Sequence, residues 1–252
     1  MDHIVEQCHR IRLTKSHTEI SKDIREERNG HGRVIMVFPF LSCTSTCITG
    51  QTGSGKTRFV FRLLTHLKEM YPDEPPDAIL YCYGIHQPLF EDMEKTIPHL
   101  VFHEGLPSMD TVREFTADRR HRLIVLDDLM HRVIHDLDME LLFTQGCHHR
   151  KLSVIFITQN IFPQGSKSRT IALNTTYLIV LKNMRDASQI ATLGRQLFPG
   201  RSKLLTEAYT DATSKPYGYL AVDMSPHSDD KYRLRTCVFP GEDTIVYVPQ
   251  KS

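Results

Sequence analysis

A chain of 252 residues, 40% hydrophobic and 24% charged, can bury one large core with a small addition, and its composition excludes a disordered or fibrous class. Thirty-one Lys and Arg against thirty Asp and Glu leave a formal charge of +1, so no global field drives binding to nucleic acid or an acidic membrane, and any such contact has to be local. No apolar run approaches the roughly 20 residues of a membrane span, and six scattered cysteines make no disulfide framework; a soluble, intracellular protein with reduced thiols is expected.

Residues 1–33 are polar and crowded with charge (Lys22, Asp23, Arg25, Glu26, Glu27, Arg28), and they end in the turn formers Asn29, Gly30 and Gly32. They read as an arm preceding a domain over 34–252. Within that domain short β-rich apolar runs at 46–49, 78–83, 122–126, 153–158 and 177–181 suit the strands of a parallel sheet covered on both faces. Helical patterns lie between them. Val60, Leu63, Leu64 and Leu67 follow the i, i+3, i+4, i+7 spacing. Ser108 can cap a helix over 108–120, Leu137, Leu141 and Leu142 mark one over 137–145, and Asp186 to Gln189 resembles a capping box leading into Ile190, Leu193 and Leu197. After Pro216 the runs 217–223, 232–239 and 244–248, separated by turn formers such as Pro240-Gly241, predict a small antiparallel β appendage over 216–252.

The chemistry concentrates in Gly50-Gln51-Thr52-Gly53-Ser54-Gly55-Lys56-Thr57, which fits G-x-x-x-x-G-K-[ST] and stands between a predicted strand and a predicted helix, where that pattern has physical meaning. Glycines let the backbone curl until successive N–H groups converge on phosphate oxygens, and the helix amino terminus adds its positive end. Lys56 is then placed to neutralise the outer phosphates and the Thr57 hydroxyl to ligate Mg²⁺, so the expected ligands are ATP and Mg²⁺. The partner of such a loop is an acid ending a buried strand. Arg122-Leu-Ile-Val-Leu-Asp127-Asp128 supplies it, with Asp127 toward the metal and Asp128 as the base for the attacking water. An Asp there is one methylene shorter than the Glu more usual at that position.

The next strand ends in Thr158-Gln159-Asn160, where an amide can bond both the attacking water and the terminal phosphate; Gln159 is the first choice and Asn160 the reserve, against a plain strand-end turn. Arg150, in His148-His149-Arg150-Lys151, stands where a protruding arginine completes a neighbouring subunit's site in ring ATPases, although basic residues at a helix carboxyl end also simply oppose its dipole. Cys147-His148-His149 lacks the second ligand pair of a zinc site. The basic stretch 164–170 suits phosphate-backbone contacts, or is only a solvated loop. No N-K-x-D guanine-reading motif, no L-S-G-G-Q signature and no arginine-rich lid appears, which disfavours a GTPase, a transporter ATPase and a small-molecule kinase.

On the loop together with VLDDLM (125–130), HHRKLSVIFITQNIFPQG (148–165), RTIALNTTYLIVLKNMRDASQIATLGRQLFPG (169–200) and EAYTDATSKPYGYLAVD (207–223), the chain resembles the FtsK/HerA superfamily of DNA-pumping ATPases. Within it the chain is most similar to the genome-packaging ATPases of Polinton/Maverick elements and adintoviruses. The resemblance implies a RecA-like ASCE P-loop core, a mostly parallel α/β sheet flanked by helices. It also implies a homo-oligomeric ring, a hexamer, that drives double-stranded DNA into a capsid at the expense of ATP. Partners would then be double-stranded DNA and capsid or portal proteins, in the host nucleus or at the virion assembly site. It places Arg150 near the family's trans-acting arginine. Asp128 departs from the family's Glu, and residues 1–33 match nothing in it. A helicase in the same fold and a non-hydrolysing nucleotide-dependent scaffold are the alternatives.

Overall fold

The computed structural model describes residues 8–12, 40–133, 151–162, 172–185 and 187–249. They build one sheet of ten strands: β1 (Cys8–Arg12), β2 (Ser45–Thr49), β3 (Ala78–Tyr83), β4 (Leu100–Glu104), β5 (Arg122–Asp127), β6 (Leu152–Thr158), β7 (Tyr177–Leu181), β8 (Tyr219–Asp223), β9 (Leu234–Thr236) and β10 (Ile245–Pro249). Their order across the sheet is β1-β10-β9-β8-β7-β2-β6-β5-β3-β4. The six strands from β7 to β4 are parallel, and β8, β9, β10 and β1 continue the sheet antiparallel. The fold is thus the α/β, mostly parallel P-loop architecture expected.

Every residue of β2, β5, β6 and β7 is buried, which explains why these segments read as continuous apolar runs instead of alternating ones. Strand parity divides them between two cores. Ile48, Tyr81, Leu123, Val125, Ile155 and Ile157 join the core on one face, with Phe59, Val60, Leu63 and Leu64 of helix α1 (Lys56–Thr65). Cys47, Cys82, Ile124, Leu126, Val154 and Phe156 join the core on the other. There they meet α4 (Met109–Phe115), α6 (Ala187–Leu197) and α7 (Lys203–Ala212). Each fully buried aliphatic of this kind contributes about 1.5–3 kcal/mol. Short helices α2 (Leu67–Met70), α3 (Leu89–Thr96) and α5 (Met130–Val133) complete the described layers.

The sequence reading places most of these elements and misses some. Ser108 does cap α4, its Oγ accepting from the Thr111 N–H at 3.1 Å, but the helix stops at Phe115, five residues short of expectation. Strand β4 escaped because its residues alternate only weakly between buried and exposed at the sheet edge. Cys8–Arg12 lies within the stretch read as a polar arm, yet it pairs along β10 from Cys8↔Pro249 to Arg12↔Ile245. The expected C-terminal strands are present, and they extend the main sheet directly through β7–β8 pairing. The expected strand 232–239 shrinks to Leu234–Thr236 behind a 3₁₀ turn at Asp230–Tyr232. The helix expected at 137–145, and Asp186 of the capping box, lie outside the described residues. Cys43, Cys47, Cys82 and Cys237 are free thiols.

The antiparallel half is pinned by an internal ion pair. Arg235 Nη2 donates to Asp223 Oδ2 at 3.1 Å, with both side chains under a tenth exposed. The other carboxylate oxygen accepts from the Ser225 N–H at 3.0 Å, and Oδ2 also takes the Ser228 hydroxyl at 2.6 Å. Removing one member of such a pair strands the other charge without water. Arg235→Ala should therefore lower unfolding free energy by about 3–5 kcal/mol, measured as a lower urea midpoint. The exposed Arg113–Asp110 pair should yield less than about 1 kcal/mol when Arg113→Ala is made.

Candidate functional site

The carboxyl ends of the parallel strands carry the loop and the acids, as in open α/β sheets generally. Gly50 follows β2 directly, and the loop runs into α1, whose amino-terminal flank is Gly55 at φ 101°. That left-handed geometry favours glycine. A Cβ at Gly55 would also lie 2.8 Å from Tyr217 Cδ1. Helix α1 has no side-chain cap and no acidic residue in its first turn, so its leading N–H groups and positive dipole end face the cleft uncompensated, a ready seat for an anion. Lys56 Nζ donates to Gly50 O at 2.6 Å and to Gln51 O at 3.0 Å, curling back over the loop. Burial pulls its pKa down from the ordinary lysine value, and the neighbouring Asp127 and Asp128 carboxylates push it up.

Register sets what stands opposite. Thr49 aligns with Thr158, and Ile157 with Asp127, so the intervening strand β6 delivers its tip between the loop and the acid. Parity turns Asp127 to the same face as Val125, the face covered by α1. There Thr57 Oγ1 approaches Asp127 Oδ2 at 3.4 Å, and the Tyr81 hydroxyl donates to the same oxygen at 2.7 Å. Asp127 is 4% exposed. Its pKa is raised, chiefly by burial, with the Tyr81 hydrogen bond working the other way. Asp128 leaves the strand in a left-handed turn at φ 57°, beside Gly84, whose site has little room for a side chain: a Cβ there would sit 3.0 Å from Asp128 O.

A cleft of about 610 Å³ is lined by Thr52, Gly53, Gly55, Lys56, Thr57, Asp127, Asp128 and Gln159 among others. The structure thus gathers the loop, both acids and Gln159 around one cavity. Gln159 lines it and Asn160 does not; Asn160 instead closes a turn, its N–H on Thr158 Oγ1 at 3.3 Å. Asn183 Nδ2 donates to Gln159 O at 3.4 Å, and the Asn183 N–H meets the Tyr209 hydroxyl at 2.8 Å, so the tip of β6 is braced from β7 and α7. Gln51 Oε1 accepts from the Met184 N–H at 3.5 Å, a weaker brace on the loop. Arg150 and the basic stretch 164–170 lie outside the described residues. The Lys151 side chain after Arg150 pairs with Glu74 at 2.7 Å, ahead of the amino end of β6, a seven-residue strand that spans about 23 Å.

Tyr81, Tyr217 and the cleft-lining Gln87, Pro88, Leu89 and Asp92 belong to no motif in the sequence. Tyr81 sits in an apolar run where its role depends on β3 pairing beside β5. Tyr217 lies 162 positions after Gly55 and meets it only because the sheet brings the two together. Neither has a local signal. The oxygen-only pair of Thr57 and Asp127 suits a hard divalent cation, and the chemistry of the donor set fits Mg²⁺ beside a phosphate seat.

No protein-family model matches the chain, and no curated protein matches it. Among solved structures it is similar to EssC (ATPases 2 and 3) from Geobacillus thermodenitrificans, with a TM-score of 0.44 and 12% identity over 83% of this chain and 40% of that one. The chain therefore spans less than half of that protein's length, and a superposition this loose carries no functional weight. No helix among the described residues is long and apolar enough to cross a membrane.

A raised carboxylate pKa means the folded state holds the proton more tightly than the unfolded chain does. Stability associated with neutral Asp127 is then present below the ordinary aspartate range and lost as pH rises through the raised folded value. Asp127→Asn removes that loss and can still accept from Tyr81. In nucleotide- and metal-free protein at pH 7 it should raise the melting temperature, on a scale of about 2–4 °C per kcal/mol for a domain of this size. The difference should shrink as pH is lowered toward the ordinary carboxylate range, read by differential scanning calorimetry. A lower melting temperature for the variant at pH 7 would contradict this account of Asp127.

Proposed function

We propose that this chain is a Mg-ATP-hydrolysing motor that moves double-stranded DNA into a capsid. The observation that carries the hydrolytic part is the meeting of Thr57 and Asp127 across 3.4 Å at the foot of an uncapped helix that also bears Lys56. The resemblance of the segments 125–130, 148–165, 169–200 and 207–223 to genome-packaging ATPases supports the DNA part and the hexameric ring.

In this reading the leading N–H groups of α1 and the loop backbone hold the β- and γ-phosphates, and Lys56 swings from Gly50 O onto them. Thr57 and Asp127 would hold Mg²⁺. The ion would supply neutralisation of charge building on the transferred phosphoryl. Asp128 orients and deprotonates the attacking water, its left-handed turn aiming a short side chain into the cleft. Gln159, held by Asn183, bonds the water or the terminal phosphate and reports which nucleotide is present. The resemblance alone supports Arg150 as a finger in trans, reaching a neighbouring subunit's site.

Purified protein should hydrolyse ATP with Mg²⁺, faster when double-stranded DNA is added. Lys56→Ala should lower the rate at least a hundredfold, roughly the cost of removing one transition-state charge contact. Tight ATP binding without turnover would favour the scaffold, and a requirement for single strands with strand separation would favour a helicase. A second measurement concerns Arg150. Mixing Arg150→Ala subunits with Asp128→Asn subunits should restore part of the activity missing from either alone, because mixed interfaces then contain one intact site. No recovery in mixtures shown to co-assemble would remove the trans role.

A further inference from the structure

The phosphate, metal and water roles leave Tyr217 without a task; it lines the cleft and is 64% exposed. Its hydroxyl has no hydrogen-bond partner among the described residues, and its backbone sits at φ 60°, in the left-handed region that non-glycine residues rarely adopt. The turn between α7 and β8 enforces this placement. Gly218 N donates to Lys215 O at 3.1 Å, and a Cβ at Gly218 would lie 2.3 Å from Ala212 O, so the turn cannot relax outward with a larger residue there. The result is an aromatic ring packed against Gly55, with most of its surface open to solvent and cleft.

Sheet order fixes which end of a nucleotide meets that ring. Strand β8 is antiparallel and begins where β7 ends, with Tyr219 opposite Leu181, so Tyr217 stands at the same edge of the sheet as the loop. Across the order β8-β7-β2-β6-β5, it lies on one side of the loop strand while Gln159 and the acids lie on the other. A triphosphate seated on α1 with its terminal phosphate toward Asp127 directs its nucleoside the opposite way, toward Tyr217. Flat aromatic faces and nucleobases stack well, and a ring with a free face is suited to that contact.

We infer that Tyr217 is the shelf on which the base of the bound nucleoside triphosphate stacks, an inference that rests on the phosphate reading of the loop. Stacking is tolerant of base identity, so this shelf favours nucleoside triphosphates over inorganic tripolyphosphate without selecting adenine over guanine. Selectivity between bases has to come from other groups.

The chain contains no tryptophan, so Tyr217→Trp in the full chain creates a single emitter at the shelf. Mg-ATP and Mg-GTP should both quench it at saturation. Mg-tripolyphosphate should displace ATP yet leave the emission within a few per cent of the free protein. In calorimetric titrations Tyr217→Ala should weaken ATP about tenfold, the scale of one lost base stack, while tripolyphosphate affinity holds and Tyr217→Phe binds ATP like the parent. Bound ATP with unchanged emission overturns the inference, and so does an equal loss of ATP and tripolyphosphate affinity in Tyr217→Ala, which would make the ring a support for the loop alone. A parent protein that binds neither ATP nor tripolyphosphate overturns the phosphate reading and this inference with it. One that binds both equally overturns only the shelf.

Discussion

A carboxylate buried at the tip of β5 organises everything around it. Ionised Asp127 loses hydration when it is 4% exposed, and a carboxylate in that position is costly unless opposite charge or hydrogen bonds replace the water. The protein supplies the Tyr81 hydroxyl and the more distant Thr57 hydroxyl, with Lys56 as the nearby positive charge. These offset part of the penalty. Free protein therefore holds Asp127 in a strained electrostatic state, the kind of perturbation that clusters at functional sites.

One strand stands between that carboxylate and the loop. With β6 inserted between β2 and β5, the loop and the acid stand two strand spacings apart, about 9–10 Å at the backbone. Side chains from both ends meet above the tip of β6, which makes Gln159 a neighbour of each. Register does the rest, since a slip of one residue in β5 would send Asp127 to the α6 and α7 face.

The antiparallel half works as a frame for the same site. Strand β8 brings the Tyr217 turn beside the loop, and Tyr209 of α7 and Asn183 past β7 hold the carbonyl of Gln159. Its stability depends on the buried Arg235–Asp223 pair and its hydroxyl and amide partners. A C-terminal segment that looks like an appendage along the chain contributes Tyr217 to the cleft.

Local chemistry fixes what can be read along the chain. Glycines that must curl, a lysine and threonine that open a helix, and an acidic pair closing a run of buried residues each carry their signal within a few positions, because backbone geometry and burial act over that range. The parallel strands were legible for the same reason, while β4 and β1 were not, since their pairing is with distant partners at the sheet edges and their composition is ordinary. Tyr81 and Tyr217 acquire meaning only through strand order: one lies 46 residues from its carboxylate, the other meets the loop across three neighbouring strands. Sequence determined the glycine-rich loop and the acidic pair; the tertiary structure decided that Tyr217 borders the loop on the side away from those acids, because long-range pairing, set by packing of whole layers, has no short-range imprint.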